Sequence, residues 1–179
     1  KLLRPTQTIQ QDMDNDGQPE LITCEFGVIE GKFSVWKKNV AGTYEAHVLS
    51  ATPGALRSMV VDWNKDGRPD LMTLFAQGDE RIVLYLNKGN LKFEEKTLLR
   101  FPPVFGSSYF DVVDVNNDGR LDILYTCGDN ADLSVIFKPY HGLYIFENQE
   151  KGEFKQSYFY PIDGAYKVAP ADVDADGDL

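Results

Sequence analysis

The chain has 179 residues, 42% hydrophobic and 26% charged, with a formal net charge of −10. That is ample length for a packed core, and no apolar run approaches a membrane span. An acidic balance without a basic stripe argues against nucleic acid as a partner.

The first marked feature is an acidic loop, Asp12-Met-Asp14-Asn-Asp16-Gly17-Gln-Pro-Glu20. It returns as Asp62-Trp-Asn64-Lys-Asp66-Gly67-Arg-Pro-Asp70, as Asp114-Val-Asn116-Asn-Asp118-Gly119-Arg-Leu-Asp122 and as Asp172-Val-Asp174-Ala-Asp176-Gly177-Asp178-Leu179. Oxygen-bearing side chains stand at positions 1, 3 and 5, glycine at 6 and, in three copies, a carboxylate at 9. Alternate placement lets the side chains converge while glycine permits a sharp reversal. Half of the 28 acidic residues lie in these loops. They repel one another unless a hard cation sits among them, so the charge reads as metal-site charge. Calcium suits a pliable all-oxygen loop better than magnesium, and zinc is disfavoured for want of His or Cys at ligand spacing.

The first aspartates are 50, 52 and 58 residues apart, which predicts one supersecondary unit stacked on its neighbours. In the first repeat a β-type run at Leu21–Cys24 is followed by an alternating segment at Phe33–Trp36, turn residues from Asn39 to Gly42, and a strand reopening at Tyr44. The second repeat has Gly54, an opening strand at Met59–Val61, runs at Leu71–Phe75 and Ile82–Leu86, a turn at Asn87–Asn90, and Phe93. In the third, Gly106 precedes Phe110–Val113, then come Ile123–Cys127, Leu143–Phe146, a turn at Asn148–Gly152 and Phe154. The fourth offers Gly164 and an opening strand at Val168–Ala171. Glycine stands eight residues before the last three loops. Arg4 takes that place in the first, whose opening strand therefore lacks the marker. No stretch holds a 3.6-residue period, so helix is expected to be nearly absent.

The predicted fold is all-β: four-stranded antiparallel blades of a β-propeller in one partial domain, 1–179, with blades at 1–50, 51–102, 103–161 and an incomplete 162–179. Three and a fraction blades do not close a ring of four to eight. Cys24 and Cys127 sit a repeat apart, on neighbouring positions that face opposite ways. They are expected to be buried small hydrophobes, not a disulfide.

The D-x-[DN]-x-D-G-x-x-[DE] loop, the upstream glycine and the hairpin LYLNKGNLKF at 84–93 resemble the FG-GAP/VCBS repeat family, to which integrin α-subunit propellers belong. The resemblance covers essentially the whole chain and implies a seven-bladed propeller with one calcium per loop. It implies ligation by Asp12, Asp14, Asp16, Glu20 and the Gln18 carbonyl in the first loop, and by Asp62, Asn64, Asp66, Asp70 and the Arg68 carbonyl in the second. In the third it implies Asp114, Asn116, Asp118, Asp122 and the Arg120 carbonyl. In the fourth it implies Asp172, Asp174 and Asp176 with the Asp178 carbonyl, the last carboxylate being missing. The count is three Ca²⁺ and a fourth left open. Glu20 stands where the family has Asp, one methylene longer.

An EF-hand is excluded because position 12 holds Thr23, Thr73 and Tyr125 between strand-like flanks. Ion-free Asx-turns are the remaining alternative for the loops. Position 2 (Met13, Trp63, Val115, Val173) is expected to plug the base of each blade. A ligand-stacking Trp63 is the alternative there. Repeat three carries eight extra residues within Gly128–Gly142, where Lys138, Tyr140 and His141 are candidates for contact with an anionic or sugar ligand. The alternative is a loop packed on its own Val135, Ile136 and Phe137. No nucleophile–base set or phosphate loop appears, so an enzyme is disfavoured.

The functional expectation is a calcium-stabilised module of a secreted, periplasmic or surface protein that binds a protein or glycan, without membrane insertion. The alternatives are a propeller domain of a carbohydrate-active or redox enzyme, with its chemistry on missing blades or a fused domain, and a plain spacer. No signal peptide is present, and since Lys1 opens the chain the numbering is expected to start inside a longer precursor.

Overall fold

The computed structural model describes residues 1–130 and 136–177. Its strands are β1 (Pro5–Gln11), β2 (Glu20–Glu25), β3 (Lys32–Lys38), β4 (Tyr44–Ser50), β5 (Ala55–Val61), β6 (Asp70–Phe75), β7 (Arg81–Asn87), β8 (Phe93–Arg100), β9 (Ser107–Val113), β10 (Asp122–Cys127), β11 (Gly142–Asn148) and β12 (Phe154–Pro161). They form three antiparallel sheets ordered β1-β2-β3-β4, β5-β6-β7-β8 and β9-β10-β11-β12. One short 3₁₀ turn, Glu150–Gly152, is the helical structure among the described residues, and no helix there is long and apolar enough to cross a membrane.

The second strand of each sheet carries a nearly unbroken apolar run, and β6 and β10 are buried at every residue. A strand covered on both faces needs such a run, whereas one covered on a single face alternates. The last strand of each sheet is an exposed edge. Glu45 on β4, Glu94, Glu95 and Lys96 on β8, and Lys155 on β12 put charge there, which discourages further pairing. The predicted turns each close by the same bond: Asn39 N–H to Thr43 O (2.8 Å), Lys88 N–H to Lys92 O (2.8 Å) and Gln149 N–H to Glu153 O (2.7 Å).

The chain divides into two compact units, Lys1–Arg100 and Phe101–Leu179. In the first, the pairs Ile22↔Val35 and Cys24↔Phe33 place four apolar side chains on one face of the first sheet. They pack with Ala55, Leu71, Phe75, Val83 and Tyr85 of the second, and Phe33 meets the Tyr85 ring at 5.3 Å. Full burial of side chains this size contributes roughly 1.5–3 kcal/mol each. Two polar contacts set the approach: Thr6 Oγ1 donates to Ala55 O (3.1 Å), and Ser58 N–H donates to Gln7 Oε1 (2.6 Å).

The second unit has an aromatic core. Phe101 stacks on Tyr125 at 3.9 Å, Phe105 on Tyr140 at 5.0 Å, and Tyr144 lies 4.5 Å from Phe159. Both cysteines are buried thiols outside any disulfide, and burial pushes the Cys24 thiol up to about 12.

Arg4 adopts φ 48°, the left-handed conformation of Gly54 (φ 96°) and Gly106 (φ 65°), and its carbonyl accepts the Phe26 N–H just as Gly54 O accepts Ala76 N–H and Gly106 O accepts Gly128 N–H. The first repeat therefore opens like the others, at a strain of about 1–2 kcal/mol for a residue with a Cβ. The strand expected at Val168–Ala171 does not form. Among the described residues the segment has no ladder partner, and Pro170 has no N–H to donate. The segment still lies along the third sheet: Ser108 Oγ donates to Ala165 O (2.8 Å) and Thr126 Oγ1 to Tyr166 O (3.2 Å).

A Cβ added at Gly106 would lie 1.9 Å from the Asp129 carbonyl oxygen, whereas one at Gly67 meets nothing within 4 Å. Gly106→Ala should cost about 3 kcal/mol or more, and Gly67→Ala only the left-handed penalty of about 1–2 kcal/mol, measured by urea unfolding.

Candidate metal centre

The three complete loops join first to second strands, and each closes on a register pair that ends at position 9: Gln11↔Glu20, Val61↔Asp70 and Val113↔Asp122. All four loops share one backbone path. Position 4 is left-handed (Asn15 φ 59°, Lys65 57°, Asn117 59°, Ala175 63°), and so is the glycine at 6. Asparagine tolerates this conformation, while Lys65 and Ala175 are held in it against their preference.

Carboxylates at positions 1, 5 and 9 turn the backbone N–H groups inward. Asp12, Asp62 and Asp114 accept the position-5 N–H at 3.2, 3.0 and 3.0 Å and the glycine N–H at 2.8, 2.9 and 2.7 Å. Asp172 accepts the Gly177 N–H at 2.9 Å. Asp16, Asp66 and Asp118 accept the N–H of Gln18, Arg68 and Arg120. Glu20, Asp70 and Asp122 accept the N–H of Met13, Trp63 and Val115 at 2.8, 3.0 and 3.0 Å. The second oxygens of Asp70 and Asp122 also take the N–H of Asn87 (2.7 Å) and Asn148 (2.8 Å).

The position-9 carboxylates are buried, Glu20 at 1% exposure and Asp70 and Asp122 at 0%. Loss of hydration raises all three above the usual carboxylate range, against the pull of their N–H donors. Asp16 is held low by Lys37 first, and Asp66 by the Arg68 N–H first. At Asp114 burial pulls upward, yet the N–H groups of Gly119, Asp118, Asn116 and Asn117 outweigh it.

Donor oxygens of Asp12, Asp14 and Glu20 lie within 4.8 Å of one another, as do those of Asp172, Asp174 and Asp176. In the second and third loops position 3 is an amide: Asn64 Oδ1 accepts the Asp66 N–H (3.2 Å) and Asn116 Oδ1 the Asp118 N–H (3.1 Å). Asp178 lies outside the described residues.

Two sets of basic side chains were not foreseen. Arg68 and Arg120 each give an N–H to the position-5 carboxylate, and their Nε donates to the carbonyl ending the third strand, Asn87 O (2.9 Å) and Asn148 O (2.7 Å). The signal was the arginine repeated at position 7. Lys37, at the end of β3, pairs with Asp14, lies 2.7 Å from Asp16 and 4.0 Å from Glu20.

Of the position-2 residues, Met13 is buried in the core, Trp63 and Val115 are half-buried and Val173 is 93% exposed, so only Met13 is a full plug. In the long β10–β11 connection Ile136 and Phe137 are exposed, which corrects the self-packed alternative, and Val135 lies outside the described residues. Tyr140 stacks on Phe105, its carbonyl accepts the Tyr144 hydroxyl (2.7 Å), and His141 is 2% exposed with Nε2 unpartnered. Lys138 is half-buried, and its carbonyl accepts the His141 N–H.

With this geometry in place, a family model described as FG-GAP-like repeat matches residues 12–73 and 62–125. The chain belongs to the FG-GAP-like repeat family. No curated protein matches it. Each match runs from position 1 of one loop to the strand following the next, so the FG-GAP period is the sheet-to-sheet period found above.

Asp70→Ala leaves the Trp63 and Asn87 N–H groups without their acceptor and should cost about 2–3 kcal/mol in urea unfolding even with chelator present. Burial, with Lys138 adding to it and Asp163 and Asp129 opposing, holds His141 below its ordinary value of 6.5. A folded-state value below the unfolded one gives stability that is present above about pH 6.5 and is lost as pH falls. Melting followed from pH 7.5 to 5.5 should show an acid-side decline that His141→Gln reduces.

Proposed function

We propose that the chain is a calcium-stabilised segment of a β-propeller, in which each four-stranded sheet is a blade and the FG-GAP loops hold structural calcium. Family membership supports this, as do three sheets of identical strand order. A repeated contact supports it further. A hydroxyl near the start of one sheet (Thr6, Ser108) donates to the carbonyl of the first residue after the conserved turn of the next repeat (Ala55, Ala165). Stacking that recurs with one geometry is what a ring of blades requires.

The donor set fits a hard cation: carboxylate and amide oxygens throughout, with Asp14 Oδ1 buried and without a partner. Asp62, Asn64, Asp66 and Asp70 would hold one ion, and Asp114, Asn116, Asp118 and Asp122 another. Asp172, Asp174 and Asp176 supply a more exposed third set, and Asp12, Asp14, Asp16 and Glu20 a fourth that already contains an ammonium. Bound calcium would supply the positive charge these nests lack. Its role is structural, since the loop oxygens are already engaged with backbone.

Loops of this kind in extracellular modules bind at about 10⁻⁴ to 10⁻³ M. Such sites fill where calcium is millimolar, so the reading places the protein outside the cytosol, as a secreted, periplasmic or surface module. A protein or glycan is the partner class that fits a rigid scaffold bearing variable loops. Lys138 and the exposed Ile136–Phe137 of the β10–β11 connection are where this chain presents such a loop. The backbone path shared by all four loops, with donor oxygens converging in the first and the fourth, carries the calcium reading.

Calcium titration with chelator controls tests it. At about 1 mM calcium each occupied loop should add roughly 0.4–1.4 kcal/mol, raising the melting midpoint by about 1–5 °C per site. Absence of both bound ions and a raised midpoint at 10-fold higher calcium would sink the proposal.

A further inference from the structure

We propose that the Lys37 ammonium is a tethered competitor for the first FG-GAP loop, keeping calcium out of it at concentrations that fill the second and third. The inference rests on the calcium reading above and concerns what sets one loop apart from its siblings.

The three complete loops are internal controls for one another. Lys37 lies opposite Glu45 across the β3–β4 ladder, and the matching positions are Leu86, opposite Glu94, and Glu147, opposite Lys155. Only the first repeat puts a basic side chain there. It is also the only complete loop with Asp rather than Asn at position 3 and Glu rather than Asp at position 9. In the second and third loops the second oxygen of the position-9 carboxylate is taken by the Asn87 and Asn148 N–H groups. In the first, the longer Glu20 turns Oε1 toward Lys37 Nζ instead, at 4.0 Å. The extra acid and the lysine answer each other.

Nζ bonds the carboxylates of positions 3 and 5 and lies 4.0 Å from that of position 9, three of the places a cation's ligands occupy. Arg68 and Arg120 act otherwise. Each is anchored by Nε on the end of a strand and reaches only the position-5 carboxylate, from the side. An ammonium offers three short-range donors where calcium takes six to eight ligands, and Asp14 Oδ1 accordingly stays buried and unpartnered. The lysine therefore blocks the loop without satisfying it, and sufficient calcium displaces it. The displaced side chain has somewhere to go: an open cleft of about 740 Å³ beside it, lined by Asp16, Gln18, Glu45 and His47. Breaking two charge-assisted contacts and bringing two cations together weakens loading by about tenfold or more. The chain thus loads calcium in two stages, with its first loop pinned by an internal cation when calcium is scarce.

Equilibrium dialysis with radioactive calcium on the 179-residue chain tests this, with chelator-state melting as a second readout. Wild type should bind ions in two classes, the weaker one disappearing in an Asp12→Asn/Asp14→Asn double variant. Lys37→Met should tighten that class alone by about tenfold or more, Lys37→Arg should leave it weak, and Lys37→Met should melt lower than wild type in chelator but not in saturating calcium. Superimposable wild-type and Lys37→Met isotherms, or one equal shift of every class, overturn the competitor while leaving calcium binding intact. A chain that binds no calcium in any variant overturns both readings, so the two failures are told apart.

Discussion

Everything in this fold depends on backbone N–H groups being turned inward onto loop carboxylates. A nine-residue connection between antiparallel strands would otherwise leave its N–H groups to water and its register undetermined. Here positions 1, 5 and 9 gather the N–H groups of positions 2, 5, 6 and 7, and the loop closes on a register pair that ends at position 9. Because a slip of one residue would move every side chain to the opposite face, this closure also decides which residues reach the core. The acidic loop is thus first a device for making the sheet, and the proposed calcium would sit within that same arrangement.

That arrangement carries an electrostatic cost, and each repeat meets it differently. Buried Asp70 and Asp122 each accept two N–H groups, yet loss of hydration still pushes them upward. Arg68 and Arg120, at position 7, reduce the charge at position 5. The first repeat, which has one more carboxylate, brings Lys37 into the loop itself. The fourth converges three exposed aspartates. One loop sequence, repeated, therefore gives loops of graded charge, and the grading comes from position 7 within the motif and from Lys37 outside it.

The same distinction explains what was legible in the sequence. The loops, the turns and eleven of the twelve strands among the described residues follow from local spacing, and local spacing was enough for them. Arg4 concealed an opening strand because a left-handed residue was expected to be glycine, and the chain tolerates arginine there at modest strain. The missing strand at Val168–Ala171 failed for a non-local reason: a strand needs a neighbour. Lys37 escaped notice because it reaches the loop through the β2–β3 pairing, seventeen residues downstream of Glu20 in sequence but adjacent in the sheet. His141 read as a candidate ligand contact from its place in a long insertion, yet it is buried beside Tyr140.

Within the first unit, Asn87 shows how such loops come to depend on one another. Its backbone N–H goes to Asp70 of the second loop, while its side-chain amide donates to the Met13 carbonyl of the first at 2.7 Å and to Pro69 O at 3.0 Å. Met13 in turn gives its N–H to Glu20 and its side chain to the core between the two sheets. One residue, 1% exposed, therefore ties the position-9 carboxylates of successive loops together through two backbone groups. Its bonds to Asp70 and Met13 are buried, so neither can be exchanged for water without loss. A shift in one loop must then either carry Met13 with it, against the packing of Phe33 and Tyr85, or break a buried amide contact. Repeats joined in this way transmit strain from neighbour to neighbour, the behaviour expected where each unit is stabilised mainly by the next.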